Sequence, residues 1–207
     1  MNAAKPIDQT RILSAAEIST VLGDLRRKKR SVNTRQNLIL FRLATCCGLR
    51  VSECVGLKLS NVRVGSGKPH IYVPKEIAKR GVQRRVPLWW DAGTLADLTT
   101  WKAEREAQGA SAGDPFICSQ SKGTTGKTLS VRNAQARFKA SVGVLGAERQ
   151  ADLSIHCGRH SFCSHALAGG RTVAEVRDAA GHANISTTSI YLHTVSEDDT
   201  VGNLFDL

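Results

Sequence analysis

Residues 155–168 read IHCGRHSFCSHALA, and this stretch does most to decide the fold. Its pattern predicts a helix, on which His156 and His160 share one face because they are four residues apart. Histidine and cysteine also bind metals, so a zinc ion held by His156, His160 and Cys163 is an alternative interpretation. That ion would lie beside the cation of Arg159, and the cysteines lack the paired C-x-x-C spacing, so we expect no metal site.

The rest of the chain is predicted to be helical on both sides of a short β-rich stretch. The first helix begins at Ser14, because Ser14 and Glu17 have the spacing of a capping box. Short β-branched runs between glycine, proline and charged residues then predict a small antiparallel sheet. The fold class is therefore mainly α with a small three-stranded antiparallel sheet (α+β). The predicted helices run from Ser14 to the basic run 26–30 and then over 33–47, 51–58, 94–108, 130–142, 155–168, 173–180 and 186–192, the predicted strands over 62–64, 70–73 and 83–88, and the predicted loop over 119–128.

The composition favours a polyanionic partner. The 207 residues carry 29 Lys and Arg against 18 Asp and Glu, which gives a formal net charge of +11. Such a charge suits nucleic acid, and no apolar run reaches the roughly eighteen residues that a membrane span needs. The first residues lack the apolar core of a secretory leader, and the cysteines do not form a disulfide framework. We expect a cytoplasmic, nucleoid-associated protein that binds double-stranded DNA and has no membrane contact.

Charge and pattern divide the chain into three parts. We expect a loose lead-in over 1–12, one compact domain over 13–194 and a tail over 195–207. The tail has only acidic charges, the reverse of the body, and it ends on apolar residues. Such a tail can dock on a neighbouring copy, or it can fold back on its own domain or fray. The acidic residues are Glu197, Asp198, Asp199 and Asp206, and the apolar ones are Val201, Leu204, Phe205 and Leu207.

Four separated motifs carry the candidate chemistry. Each has an ordinary structural explanation when taken alone. Arg50 beside Glu53 fits a helical ion pair, and Tyr191 fits a half-buried aromatic residue. In chain order, the motifs are GLRVSE at 48–53, KRGVQRRVPL at 79–88, HCGRH at 156–160, and the segment from Gly-His at 181–182 to Tyr191.

Together, the four motifs resemble the catalytic domain of the tyrosine recombinase (phage integrase) family, over about residues 14–194. That family has an arginine in Gly-Leu-Arg-x-Ser-Glu, a lysine seven residues before Val-Pro-Leu, and a His-x-x-Arg-His motif at the start of a helix. Its Gly-His pair precedes a tyrosine by nine residues, and His182 precedes Tyr191 by nine. The resemblance implies a catalytic set of Arg50, Lys79, His156, Arg159, His182 and Tyr191.

The resemblance also implies a reaction. Tyr191 would attack a DNA phosphodiester and form a 3′-phosphotyrosine, which conserves the bond energy for rejoining without metal, ATP or another cofactor. We expect a site-specific recombinase or integrase of a mobile genetic element, which acts as a homo-oligomer (a tetramer) on DNA and can be a monomer in solution. A type IB topoisomerase-like nicking and closing enzyme and a non-catalytic DNA-binding regulator are the alternatives.

The residue types suit this chemistry. The transition state concentrates negative charge on non-bridging phosphate oxygens, and the guanidinium groups of Arg50 and Arg159 can bind them without losing their own charge. Tyrosine has an ordinary pKa near 10, so it needs a base, for which His156 is the candidate. Lys79 is the candidate acid for the leaving 5′-hydroxyl, because nearby cations favour a neutral amine. His182 is predicted to donate a hydrogen bond to a non-bridging oxygen.

Two residues depart from the family pattern. Cys157 stands where an acidic residue is common, and Gly158 stands where the family usually has leucine. Small residues early in a helix predict that the helix is less stable and that Arg159 is held less firmly.

Other basic residues are predicted to contact the DNA backbone, which would position the duplex without reading its sequence. Family members usually carry a further N-terminal helical domain, and Arg50 lies near the start of this chain. We expect either a compact single-domain recombinase of the fimbrial-switch invertase type or a truncated element, with weak and salt-sensitive DNA binding. The predicted backbone contacts are Arg80, Arg84, Arg85, Lys127 and Arg132.

Overall fold

A computed structural model describes residues 8–65 and 67–192, which form nine α-helices and one three-stranded antiparallel sheet. The predicted fold class is confirmed. The tail 195–207 and the first seven residues of the lead-in lie outside the described residues. The helices are α1 (Ala15–Arg27), α2 (Val32–Thr45), α3 (Val51–Gly56), α4 (Ala92–Ala107), α5 (Val131–Ser141), α6 (Ala147–Asp152), α7 (Ile155–Ala168), α8 (Val173–Ala180) and α9 (Ser186–Ser189), and the strands are β1 (Val62–Arg63), β2 (His70–Val73) and β3 (Arg84–Pro87).

The predicted elements match the observed ones apart from some ends and one helix. The capping box is present: the amide of Ser14 donates to Oε2 of Glu17 at 2.7 Å, and the amide of Glu17 donates to Oγ of Ser14 at 3.2 Å. α4 begins two residues earlier than predicted because the side chain of Asp91 caps it. α9 ends at Ser189, three residues before the predicted end, and α6 lies where no element was predicted.

The core lies between α2, its neighbouring helices and the sheet. α2 packs against α1, α5 and α7. In the sheet, β2 pairs antiparallel with both β1 and β3, and Ile71 lies opposite Val86, with both side chains fully buried. A second, smaller cluster joins α7 to α8 and contains Tyr191. Within the described ranges, we find no helix with the length and apolar character to cross a membrane.

Gly158 allows α7 to lie unusually close to α2. A Cβ atom at this position would be 2.7 Å from Oγ1 of Thr45 and 3.1 Å from the carbonyl carbon of Ala44. α7 is nevertheless continuous from Ile155 to Ala168. The lower stability of this helix stays a prediction, and the structure adds that the small residue permits a close approach of two helices.

Gly158 and Gly23 should respond in opposite directions to substitution by alanine. In Gly158→Ala, we expect the free energy of unfolding to fall by about 1–2 kcal/mol, because the clash with α2 outweighs the gain in helix propensity. Gly23 lies in α1, where an added Cβ atom would meet no atom of a neighbouring element within 4 Å. Gly23→Ala should therefore raise the free energy of unfolding by about 0.5–1 kcal/mol. Urea unfolding measures both, and a stabilising Gly158→Ala would contradict the close helix contact.

Candidate active site

Tyr191 lies in the smaller cluster, just after α9, with only 2% of its surface exposed. Its hydroxyl is 2.7 Å from Nδ1 of His160. Its ring lies nearly parallel to that of His182, with an interplanar angle of 5° and centroids 6.4 Å apart. The phenol is thus in contact with two histidines, and it must become more exposed before it can reach a DNA phosphate.

Arg50 lies at the N-terminus of α3 and is anchored by Glu53, whose side chain is fully buried. The amide of Arg50 donates to Oε2 of Glu53 at 2.8 Å, and Nη1 of Arg50 is 3.2 Å from Oε1. Nη2 donates to the carbonyl oxygen of Gly181 at 3.1 Å. The helical ion pair is therefore real, and it also directs Arg50 towards the Gly181–His182 turn.

Arg159 offers a buried nitrogen, Nη2, that no described residue accepts from. Nη1 donates to the carbonyl oxygen of Gly48 at 2.6 Å, which fixes the guanidinium group. Nη2 is buried and has no hydrogen-bond partner in the described part of the chain. Burial, followed by the nearby charge of Arg50, lowers the pKa of Arg159 to about 10. A buried donor of this kind is costly unless an anion accepts from it, so the arrangement suits a phosphate oxygen.

His182 is a neutral imidazole between these cations and Tyr191. Burial, and then the charges of Arg159 and Arg50, lowers the pKa of His182 to about 3. Nδ1 of His182 lies 2.9 Å from Oγ1 of Thr188, which is itself fully buried. If the Thr188 hydroxyl donates to Nδ1, the ring proton is on Nε2 and can be donated to a ligand oxygen.

The lowered pKa of His182 should make the protein less stable in mild acid. Between its ordinary pKa of 6.5 and its folded pKa of about 3, the unfolded chain binds a proton that the folded chain does not. Stability therefore falls as pH falls below 6.5. His182→Gln keeps a hydrogen-bonding group near Thr188. It should make the unfolding free energy less dependent on pH, by an amount that corresponds to the uptake of up to about one proton on unfolding.

Urea titrations between about pH 7 and pH 5 would measure that slope. Paired carboxylates such as Glu53 change the unfolding free energy mainly below their ordinary pKa of 4.5, which lies outside this pH range. Equal slopes for wild type and His182→Gln would show that His182 is not held neutral.

The pair formed by Tyr191 and His160 is neutral. Burial, and then the sulfur of Cys163, raises the pKa of Tyr191. Burial, and then the charges of His156 and Arg159, lowers the pKa of His160. The phenol is therefore protonated and shares a hydrogen bond with a neutral imidazole, in which the donor depends on the tautomer of His160. His160 was not predicted as a site residue, although it belongs to the motif at 156–160 and shares a helix face with His156.

The two candidate proton-transfer residues, His156 and Lys79, are exposed. His156 lies in the first turn of α7, four residues before His160. Lys79 begins a short 3₁₀ turn in the connection between β2 and β3. The structure thus groups Arg50, Arg159, His182 and Tyr191 tightly and leaves the two proton-transfer candidates at the surface.

The predicted DNA-backbone contacts divide into two kinds. Arg85, Lys127 and Arg132 are exposed, as a backbone contact requires. Arg84 is not: its side chain is 7% exposed and forms an ion pair of 2.7 Å with Glu53. Its guanidinium group is therefore part of the interior, beneath the candidate site. Only the backbone of Arg80 is described.

The alternative interpretation placed a zinc ion on histidine and cysteine side chains of α7. Within residues 8–65 and 67–192, no group of three or more His, Cys, Asp or Glu side chains is arranged to hold a metal ion. The described cysteines are all free thiols, and burial raises the pKa of Cys163 to about 11.

Comparison with known proteins finds relatives of one kind, namely recombinases and integrases. The family model described as "Phage integrase family" matches residues 11–197. Tyrosine recombinase XerC of Yersinia pestis is 36% identical over 146 residues, which cover 70% of this chain and 44% of that protein. The matched chain thus spans less than half the length of this curated relative.

Two solved structures share the fold. The XerH site-specific recombinase bound to a palindromic difH substrate, in a post-cleavage complex, has a TM-score of 0.71 at 23% identity, over 91% of this chain and 51% of that one. XerA recombinase has a TM-score of 0.70 at 18% identity, over 93% of this chain and 60% of that one.

Proposed function

This chain belongs to the phage integrase family, and from that premise we propose that it is a site-specific DNA recombinase that cuts and rejoins strands through a 3′-phosphotyrosine at Tyr191. We assign the catalytic domain to 13–194. One observation carries most weight: the buried Nη2 of Arg159, which has no partner among residues 8–65 and 67–192, lies in the same site as Arg50, His182 and a tyrosine. Such a site is suited to an anion that a tyrosine can attack.

We assign phosphate binding to Arg50, Arg159 and His182. A phosphodiester already carries one negative charge, and its transition state gathers more on the non-bridging oxygens. Arg159 and Arg50 are fixed by Gly48, Glu53 and Gly181 before any substrate arrives. Donors fixed in advance need no reorganisation during the reaction, which is where electrostatic catalysis is most effective.

Proton transfer is assigned to two exposed residues. Tyr191 must leave its buried position beside His160 to attack, and we propose that His156 then accepts the phenol proton. His160 is a poorer acceptor, because its imidazolium form would be buried beside Arg159. Lys79 donates a proton to the leaving 5′-hydroxyl, and no metal or other cofactor takes part in these steps.

The role of Lys79 can be tested with a substrate that needs no acid. Lys79→Met should lower cleavage of ordinary DNA by about 10²–10⁴-fold. A 5′-bridging phosphorothiolate has a thiol leaving group, whose ordinary pKa is near 8.5, so it departs without protonation. Single-turnover cleavage of this substrate by Lys79→Met should approach the wild-type rate, and an equal defect on both substrates would contradict the assignment.

Double-stranded DNA is the proposed partner. The net charge of +11 supports it, as do the exposed Arg85, Lys127 and Arg132. Contacts of this kind make affinity depend steeply on salt, because each neutralised phosphate releases counterions. We therefore expect binding to weaken strongly as salt is raised.

We further propose that copies assemble as a tetramer on DNA through the tail 195–207. An open cavity of about 560 Å³ between α1, α2 and α7 has apolar walls that include Ile18 and Phe162, and Arg26 and Arg171 also line it. The acidic, apolar-ended tail complements such a cavity. Deleting 195–207 should abolish paired-site complexes on native gels and leave single-site binding intact, whereas unchanged pairing would exclude this assembly.

A plasmid assay tests recombination itself. Cleavage sites are first selected from randomised nicked duplexes by capture of the covalent protein–DNA adduct. Two copies are then placed on one supercoiled plasmid. Deletion or inversion between the copies is the expected result, whereas relaxation of supercoils without exchange would identify a topoisomerase-like enzyme instead.

A further inference from the structure

Arg84 has a buried guanidinium group that the mechanism above does not use. It is the first residue of β3, and its guanidinium group is bound on three sides. Nη1 donates to Oε1 of Glu53 at 2.8 Å, Nη2 donates to Oε2 of Glu53 at 2.7 Å, and Nε donates to the carbonyl oxygen of Ala179 at 2.9 Å. One side chain therefore joins β3 to α3 and to the last turn of α8.

The backbone of Gly181 packs directly on Arg84. Gly181 ends α8 in the left-handed conformation, with φ of 69°. A Cβ atom there would lie 2.8 Å from Cδ and 2.9 Å from Nε of Arg84. The carbonyl oxygen of Gly181 accepts from Arg50. The turn that carries His182 is therefore enclosed between two arginines that share the carboxylate of Glu53.

Removing Arg84 would leave Glu53 as a buried carboxylate with a weaker set of partners. Burial opposes ionisation of Glu53, but the hydrogen bonds and charge of Arg84, with help from Arg50, hold its pKa below the ordinary value. Arg50 alone is a poorer partner, since its Nη1 lies 3.2 Å from Oε1 and its Nη2 is used by Gly181. Loss of Arg84 would thus disturb the group that anchors Arg50.

We propose that Arg84 is a positioning residue for cleavage: it holds Glu53 and the Gly181 turn so that Arg50 and His182 face one phosphate. This inference rests on the proposed function. It also differs from the predicted contact of Arg84 with the DNA backbone, because a buried guanidinium group sets geometry and does not add affinity. A shift of about 1 Å in such groups can cost about 10²-fold in rate.

The test separates cleavage rate from DNA affinity. We compare wild type, Arg84→Gln, Arg84→Lys and Arg177→Gln for the equilibrium constant of DNA binding and for single-turnover cleavage at saturating DNA. Arg177 is a matched control, because its side chain is 36% exposed and pairs with Asp178 on the surface of α8. Arg84→Gln should cleave about 10²-fold more slowly and Arg84→Lys about 10-fold more slowly, at nearly unchanged affinity, and Arg177→Gln should match wild type.

A pH profile adds a readout that a general loss of packing would not give. The charged and titratable groups around Glu53 are Arg50, Arg84, Arg159 and the thiol of Cys54. Without Arg84, Glu53 should take up a proton more readily, so cleavage by Arg84→Gln should fall further as pH is lowered from about 8 to 6. Adding Glu53→Gln to this variant should remove that pH dependence.

The outcomes are distinct. If Arg84→Lys is folded and cleaves at the wild-type rate, or if either variant loses affinity alone, the positioning role is overturned, even where Arg84→Gln does not fold. If the wild-type protein itself forms no covalent adduct on any of the randomised nicked duplexes, the proposed function is wrong, and the role of Arg84 is not what failed.

Discussion

Arg159→Lys should cleave DNA about 10²–10³-fold more slowly than wild type at saturating DNA, with nearly the same affinity. The substitution keeps the charge and removes the planar fork of the guanidinium group. In the wild type, Nη1 is held by Gly48 while Nη2 is left for a ligand. A lysine ammonium group cannot keep the first contact and present the second in the same plane.

Single-turnover formation of the covalent adduct measures this rate, and a filter-binding titration measures affinity. Arg149→Lys is the matched control, because Arg149 pairs with Glu17 outside the site and should be replaceable without effect on cleavage. If Arg159→Lys forms the adduct at the wild-type rate, the unpartnered Nη2 is not a phosphate ligand. If only affinity falls, Arg159 binds DNA without acting on the transition state.

Replacing the two neighbouring histidines should have unequal effects. His156→Gln should lower the single-turnover rate by about 10²–10⁴-fold, because it removes the proposed acceptor of the phenol proton. His160→Gln should have a much smaller effect, because the glutamine amide can accept from or donate to the hydroxyl of Tyr191 and so keep a hydrogen bond there. His160 is also a weak base, since burial lowers its pKa, whereas His156 lies exposed at the surface.

Each variant should be measured on the same suicide substrate, with thermal unfolding as a check on folding. The reverse order of effects, with His160→Gln nearly inactive and His156→Gln close to wild type, would transfer the role of base to the residue already in contact with Tyr191. Equal, small effects would mean that neither imidazole accepts the proton.

Much of the site could be predicted because each motif lies at the end of an element. Arg50 lies at the start of α3, Arg159 in the first turns of α7, and His182 just after α8. Residues at element ends converge where those elements meet, and the family resemblance, which the order and spacing of the motifs carry, implied which residues surround Tyr191. The exact partner of the phenol was not predictable, because His156 and His160 share one helix face.

Arg84 shows where the charge pattern misled the prediction. It reads as part of a basic run with Arg85, which suggested two DNA contacts. Neighbouring residues of a strand point to opposite faces, and Val86 is fully buried on the same face as Arg84. That alternation was a usable signal for burial. What it could not reveal is the partner, Glu53, which lies 31 residues earlier in the chain.

The close packing at Gly158 was not predictable for a different reason. Helix propensity is a local property, and by that measure a glycine early in α7 is unfavourable. Gly158 also lies close to Thr45 on another helix, and a single sequence does not reveal that proximity. The short helix α6 was not predicted either, because its six residues carry little apolar pattern and none of them is buried.

The most direct measurement of the central claim is the chemical identity of the covalent adduct. A pool of nicked duplexes is incubated with the protein, the adduct is digested, and the peptide that carries nucleotide is sequenced by mass spectrometry. The chain has two tyrosines, so Tyr72→Phe is a built-in control, and its hydroxyl is otherwise occupied by Gln83. We predict a nucleotide joined through its 3′-phosphate to Tyr191, kept in Tyr72→Phe and absent in Tyr191→Phe. An adduct on another residue, or none from the folded wild type on any duplex, would contradict the account.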